Sequence, residues 1–254
     1  MKNYSAYLID LDGTMYRGKE VIAEARQFIE HLQANGIPYR YVTNNSSRTP
    51  EDTAKKLQNF GIEASVEQIV TASMAAAAHI KSHFPEARAF AIGERGLTDA
   101  LKEVGIEIVE ESPDVVIMGI DRENNYKKLR NACLYVQQGA EFLATNPDIK
   151  VPTEKGLVPG NGAFIKLVEN VTGVEPTVIG KPKRHMIDFA LEQIGANAED
   201  TIMVGDNYDT DILAGMEAGL DTLHVHTGVT TLDEIKNKDR RPTYSIETLE
   251  EWFK

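Results

Sequence analysis

The chain has 254 residues, 42% of them apolar and 26% charged, which excludes wholesale disorder and a fibrous fold and leaves room for one large domain or two smaller ones. Its 27 basic and 39 acidic residues give a formal charge of −12, which argues against a general affinity for nucleic acid or anionic membrane but leaves an anionic small substrate open. The single cysteine, Cys133, excludes an intrachain disulfide and a thiolate metal cluster, and within KLRNACLYV it reads as a small buried residue.

The opening MKNYSAYLIDLDG lacks the basic and apolar regions of a secretory leader. No apolar run approaches the roughly 18 residues needed to cross a bilayer, so a cytoplasmic protein is expected. In chain order, the apolar, β-rich segments are YSAYLID, IPYRYVTN, ARAFAIG, DVVIMGI, EFLATN, PTVIG, DTIMVGD and DTLHVHTG. Segments with helical spacing lie between them. In VIAEARQFIEHLQANG, the apolar Ile22, Ala25, Ile29 and Leu32 recur at three and four, and Gly36 can stop the helix. RTPEDTAKKLQNFG repeats the design, with Thr49 as N-cap, Pro50 in the first turn and Gly61 at the end. This alternation predicts an α/β fold with a mainly parallel sheet and helices on both faces. Residues 81–176 carry their own strands and helices, so they read as an inserted α/β domain within a discontinuous core of 1–80 and 177–254.

In sheets of this kind, chemistry collects at the carboxyl ends of the strands. Four strand endings carry suitable residues: LIDLDGT, YVTNNS, VIGKP and IMVGDNYDTD. Asp12, before Gly13, suits a turn; Asp10, directly after Tyr7, Leu8 and Ile9, suits one less well. Asp206, Asp209 and Asp211 are more carboxylates than helix capping needs, and a hard divalent cation explains the surplus. Lys181 is either a solvated turn residue or an ammonium that neutralises an aspartate and a phosphoryl oxygen. Thr43 and its neighbours can cap a turn or bind a phosphoryl oxygen. His224 and His226 share a strand face, for which packing is a simpler reading than metal binding, and His31, His79, His83 and His185 are not needed for any chemistry.

DLDGT, TNN, GKP and GDNYDTD, in this order, resemble the haloacid dehalogenase superfamily of aspartate-nucleophile phosphohydrolases. The position of the insertion is similar to that of a type C2 cap on a Rossmann-like core. DLDGTMYRG, VTNNSSRTP, ATNPD, PGNGAF and GDNYDTDILAG narrow the resemblance to the NagD-like, p-nitrophenyl phosphatase subfamily over essentially the whole chain. The resemblance implies that Asp10 is the nucleophile and that Asp12 is the acid and base. It implies Mg²⁺ on Asp10, the backbone carbonyl of Asp12, and Asp206. Thr43, Asn44 and Lys181 would bind phosphate, Asp211, Asn207, Asn45 and Gly13 would support the site, and Asp148 of the cap would reach the substrate. Asp209 has no assigned role.

The expected partner is a small phosphorylated metabolite such as a sugar phosphate, a nucleotide or p-nitrophenyl phosphate, with a homodimer left open. A phosphotransferase or phosphomutase with the same aspartyl-phosphate is an alternative, and so is a non-catalytic phospho-receiver or metabolite-binding module. Motif order disfavours the receiver, in which the phosphorylated aspartate follows an earlier acidic pair. Asp12 and the acidic last motif disfavour a dehalogenase.

Overall fold

The computed structural model describes residues 2–253, which divide into two compact units. The first comprises the chain up to Thr43, Pro50–Val70, and the chain from Lys181 onward; the second comprises Asn44–Thr49 and Thr71–Gly180. The sequence reading places its junctions at 80/81 and 176/177. The first of these falls inside a continuous helix, Ala72–His83.

In chain order, the first unit begins with β1 (Ala6–Ile9), the small hairpin β2 (Tyr16–Arg17) and β3 (Glu20–Val21), α1 (Ala25–Ala34), β4 (Tyr39–Thr43), α2 (Pro50–Asn59) and β5 (Ile69–Thr71). The second holds α3 (Ala72–His83), β6 (Ala89–Ile92), α4 (Arg95–Glu103), β7 (Val115–Met118), α5 (Tyr126–Gln137), β8 (Glu141–Ala144), the hairpin β9 (Lys150–Thr153) and β10 (Gly156–Pro159), α6 (Asn161–Thr172) and β11 (Thr177–Val178). The chain then returns to the first unit with α7 (His185–Ile194), β12 (Thr201–Gly205), α8 (Leu213–Ala218), β13 (Asp221–Val225), α9 (Leu232–Lys236), β14 (Tyr244–Ile246) and α10 (Glu250–Phe253).

The six-stranded sheet of the first unit runs β14-β13-β12-β1-β4-β5. In it, β1 is parallel to both β4 and β12, and β13 is parallel to β12 and β14. Strands buried on both faces must be apolar throughout, which is why AYLI and TIMVG read as continuous runs rather than alternating ones. Tyr7, Ile9, Ile202 and Val204 pack with Phe28, Ile29 and Leu32 of α1 and Leu57 of α2. Leu8 and Met203, at the alternate positions, are also fully buried, and α7 packs against β1 and β4. Helices α1 and α2 thus bury one set of side chains along the sheet.

The second unit is built on a parallel four-stranded sheet, β11-β8-β7-β6. Its cluster joins Phe90, Ile92, Val116, Met118 and Phe142 to Ala132, Cys133 and Val136 of α5 and to Ile165 and Val168 of α6. One strand is reassigned. PTVIG reads from sequence as a core strand, but β11 pairs in parallel with β8 of this second sheet. Two residues of parallel pairing carry no signature of the sheet they join, so the pattern alone could not place it. Among the described residues, no helix is long and apolar enough to cross a membrane.

Phe28 tests the packing of the larger core. It is fully buried, with the rings of Tyr7 and Phe253 at 5.9 and 6.3 Å. Phe28→Ala is expected to lower the unfolding free energy by about 3–5 kcal/mol in urea denaturation. A loss under about 1 kcal/mol would mean that this contact is peripheral.

Candidate active site

The site is assembled where β1 and β12 run out of apolar residues. Asp10 follows β1 and extends its pairing by one step, its N–H donating to the Val204 carbonyl at 2.9 Å. Asp206 follows β12, and Asp211 lies in the irregular turn Tyr208–Ile212 that leads into α8. Carboxylate oxygens of Asp10, Asp206 and Asp211 lie within 4.8 Å of one another, and all three residues are buried. Lys181 is 1% exposed, and its Nζ donates to Asp10 Oδ1 at 2.5 Å, Asp211 Oδ1 at 2.7 Å and the Val42 carbonyl at 2.9 Å. An ammonium has three protons, and two of these three acceptors are carboxylates.

Three carboxylates and one ammonium leave two negative charges in excess when all are ionised. Burial pushes the Asp10 carboxyl up, reinforced by Asp211 and opposed by Lys181. Burial and Asp211 likewise push Asp206 up, to about 7, against the amide of Val229. Burial alone would lower the Lys181 ammonium, but Asp10 and Asp211 outweigh it and hold the group above its ordinary value. All three shifts have the sign expected of a cluster short of positive charge. The donor set therefore fits a hard divalent cation, which binds carboxylate oxygens and would balance the excess.

Asp206 is held more closely than the sequence suggested. Its Oδ1 accepts from Thr14 Oγ1 at 3.3 Å, its Oδ2 from the Val229 amide at 2.6 Å, and its carbonyl from the Thr230 amide at 3.2 Å. A Cβ on Gly228 or on Gly13 would overlap this carboxylate, and Gly13 also has φ +95°. Thr227 Oγ1 donates to the Gly13 carbonyl at 2.6 Å, and Arg17 Nε reaches the Thr227 carbonyl. The loop 227–230 thus joins DLDGT to GDNYDTD. Sequence reasoning passed over it. The available signal was a polar TGVTT run following β13, a neighbour of β12 in the same sheet. His224 packs as expected, donating from Nε2 to the Asp206 carbonyl at 2.9 Å, with its pKa lowered to about 4 by burial.

The remaining residues divide by what they touch. Thr43 ends β4 and is buried. Asp12 is exposed, and its Oδ2 accepts from Tyr16 Oη at 3.2 Å. Asp211 Oδ2 accepts from the Asn207 amide at 3.1 Å, while Asn207 Oδ1 accepts from the Asp209 amide and caps the turn. Asp209 pairs with Lys238 at an exposed position.

Asn44 and Asn45 belong to the second unit. Asn45 Oδ1 accepts from the amides of Ser47 and Arg48, a local turn contact. The Asn44 carbonyl accepts from Asn146 Nδ2 at 3.0 Å. In the same unit, the Asp148 carbonyl accepts from the Gly162 amide at 2.9 Å, and Asn161 Nδ2 donates to the carbonyls of Met118 and Asn146, both at 3.0 Å. ATNPD and PGNGAF, separate in sequence, therefore form one hydrogen-bonded cluster.

A family model described as haloacid dehalogenase-like hydrolase matches residues 7–107, and a second, HAD-hydrolase-like model matches residues 178–252. The chain is 48% identical over 253 residues to the 5'-nucleotidase YutF of Bacillus subtilis, covering 100% of this chain and 99% of that one. It is 48% identical over 252 residues to an acid sugar phosphatase of Staphylococcus aureus, covering 99% and 97%. A double mutant of the thermostable NPPase from Geobacillus stearothermophilus superposes with a TM-score of 0.95, at 52% identity and full coverage of both chains.

Removing the central cation should expose the charge imbalance. Lys181→Met leaves buried carboxylates unpaired and is expected to cost about 3–5 kcal/mol at pH 7. Protonation of the carboxyls should recover part of that loss at pH 5, as read by thermal melts at both values. A variant as stable as the parent at pH 7 would show that the ion pairs do not hold the site.

Proposed function

The chain belongs to the haloacid dehalogenase-like hydrolases, and on that premise we propose that it hydrolyses small phosphomonoesters through an aspartyl-phosphate on Asp10. The observation that supports this reading most is the Lys181 ammonium bonded to both Asp10 and Asp211 beside Asp206, in a buried cluster that lacks positive charge. Such a site suits a dianionic substrate that arrives with or after a cation.

In this reading, Asp10 attacks phosphorus and the ester oxygen leaves, so one difficult displacement becomes two easier ones. Lys181 opposes the upward push of burial on Asp10 and fixes its rotamer before attack. Asp12 gives a proton to the departing oxygen, then takes one from the water that attacks the aspartyl-phosphate. Thr43, at the end of β4, supplies a hydroxyl for a phosphoryl oxygen, with Lys181 facing the same charge.

Asp10, Asp206 and the backbone carbonyl of Asp12 would hold Mg²⁺, while Asp211 is committed to Lys181 and the Asn207 amide. When bound, the ion would offset the charge of the phosphoryl oxygens and of the attacking carboxylate.

We assign substrate selection to the second unit, acting as a cap, with Asp148 and the Asn161 cluster as its polar contributors. The names of the relatives, a nucleotidase, a sugar phosphatase and an NPPase, support a phosphomonoester substrate and differ on the leaving group. Asn44 keeps its expected phosphate-binding role, and Asn45, Asn207 and Gly13 keep a supporting one, Asn45 and Asn207 through local turns and Gly13 by its close approach to Asp206.

Two measurements test the proposal. Asp10→Asn should abolish phosphate release from p-nitrophenyl phosphate and keep the parental circular dichroism; substantial residual turnover would refute the nucleophile assignment. Chelation should abolish the parent's activity, and saturating Mg²⁺ should raise its Tm by roughly 3 °C or more. That rise should be absent in Asp206→Asn. Activity that survives chelation, or an equal Tm rise in the variant, would contradict the metal assignment.

A further inference from the structure

The tail of DLDGTMYRG is not accounted for by nucleophile, metal or phosphate contacts. Its tyrosine is nevertheless placed with care. Tyr16 is 3% exposed and opens the β2–β3 hairpin, and its Oη donates to Asp12 Oδ2 at 3.2 Å. The ring lies 5.2 Å from that of Phe60, and Lys56 Nζ of α2 sits over its face, 3.5 Å from the centroid. The backbone closes the same turn from the other side: the Gly13 amide donates to the Tyr16 carbonyl at 2.8 Å, and the Tyr16 amide to the Leu11 carbonyl at 3.3 Å. The ring is therefore fixed relative to the residues on either side of Asp12.

We infer that Tyr16 is a positioning residue for Asp12, selecting the rotamer in which one carboxyl oxygen is held and the other is presented to the leaving group. This rests on the role given to Asp12 above. An exposed aspartate in a solvated turn populates several rotamers, and a general acid must lie within hydrogen-bond reach of the oxygen it protonates. With Oδ2 engaged by Tyr16, Oδ1 carries the proton that passes to the ester oxygen as its bond to phosphorus breaks. Lys56 withdraws electron density from the ring face, which strengthens the phenol as a donor. Packing alone would be served by phenylalanine. The hydroxyl is what distinguishes this residue.

The test uses two substrates that differ in their need for a proton. p-Nitrophenolate departs without one, whereas the alkoxide of glycerol phosphate requires it. Tyr16→Phe keeps the ring, the Phe60 contact and the cation. Because hydrolysis of the aspartyl-phosphate is common to both substrates and also uses Asp12, the readout is leaving-group release in the first turnover: it is expected to slow about tenfold or more on glycerol phosphate and to stay within about threefold of the parent on p-nitrophenyl phosphate. Asp12→Asn should show the same asymmetry at larger amplitude, and the double variant should lose nothing beyond Asp12→Asn. Lys56→Gln should give a smaller loss of the same kind, which keeps the inference testable if Tyr16→Phe folds poorly.

Equal losses on both substrates, no loss on either, or additive losses in the double variant would overturn the inference. If Asp12→Asn is asymmetric and Tyr16→Phe is not, the inference about Tyr16 fails alone. If Asp12→Asn is itself symmetric, the role of Asp12 fails, and that of Tyr16 with it.

Discussion

The structure of the site depends on one imbalance: three buried carboxylates share a single ammonium. Lys181 donates to two of them and to a backbone carbonyl, and one ammonium charge does not neutralise three carboxylates. Desolvation makes that deficit costly, and a protein of modest stability retains such an arrangement only where something arrives to complete it. The rise of Asp206 to about 7 expresses the same deficit. A cation and a phosphoryl group are complementary to it in different ways, since one supplies charge and the other requires the charge to be there already.

The surrounding chain serves to keep this cluster in place. Apolar strands β1 and β12 deliver Asp10 and Asp206 at adjacent points along one sheet edge, paired in register from Ala6 with Thr201 to Ile9 with Val204. The loop 227–230 then fixes Asp206 through two backbone amides and a glycine that admits no side chain. Backbone donors cannot rotate away as side chains can, so the carboxylate is held before any ligand binds. Asp12 is the exception. It is exposed, and its Oδ2 accepts a hydrogen bond from Tyr16.

The sequence made the charged half of this site legible because charges at the ends of apolar runs are conspicuous. Asp10, Lys181, Asp206 and Asp211 could each be picked out by residue type and position, and the structure brings them together. The support was less visible. Val229 acts through its amide and Gly228 through the absence of a side chain, and neither leaves a mark in residue type. The strand before GKP pairs with the second unit's sheet rather than the expected one, because a two-residue parallel pairing has no local signature. Nothing in DLDGTMYRG marks Tyr16 as a partner of Asp12, since its hydroxyl meets that carboxylate only once the hairpin has formed.

The proposed chemistry requires Asp10 to attack phosphorus as a nucleophile rather than to act as a base or a metal ligand alone. The most direct measurement is the stereochemical course at phosphorus, using a phosphomonoester made chiral with oxygen isotopes and an alcohol as the acceptor in place of water. Two successive in-line displacements, the first by Asp10, predict net retention of configuration. Net inversion would mean that the acceptor attacks the substrate directly, and would contradict the covalent role of Asp10.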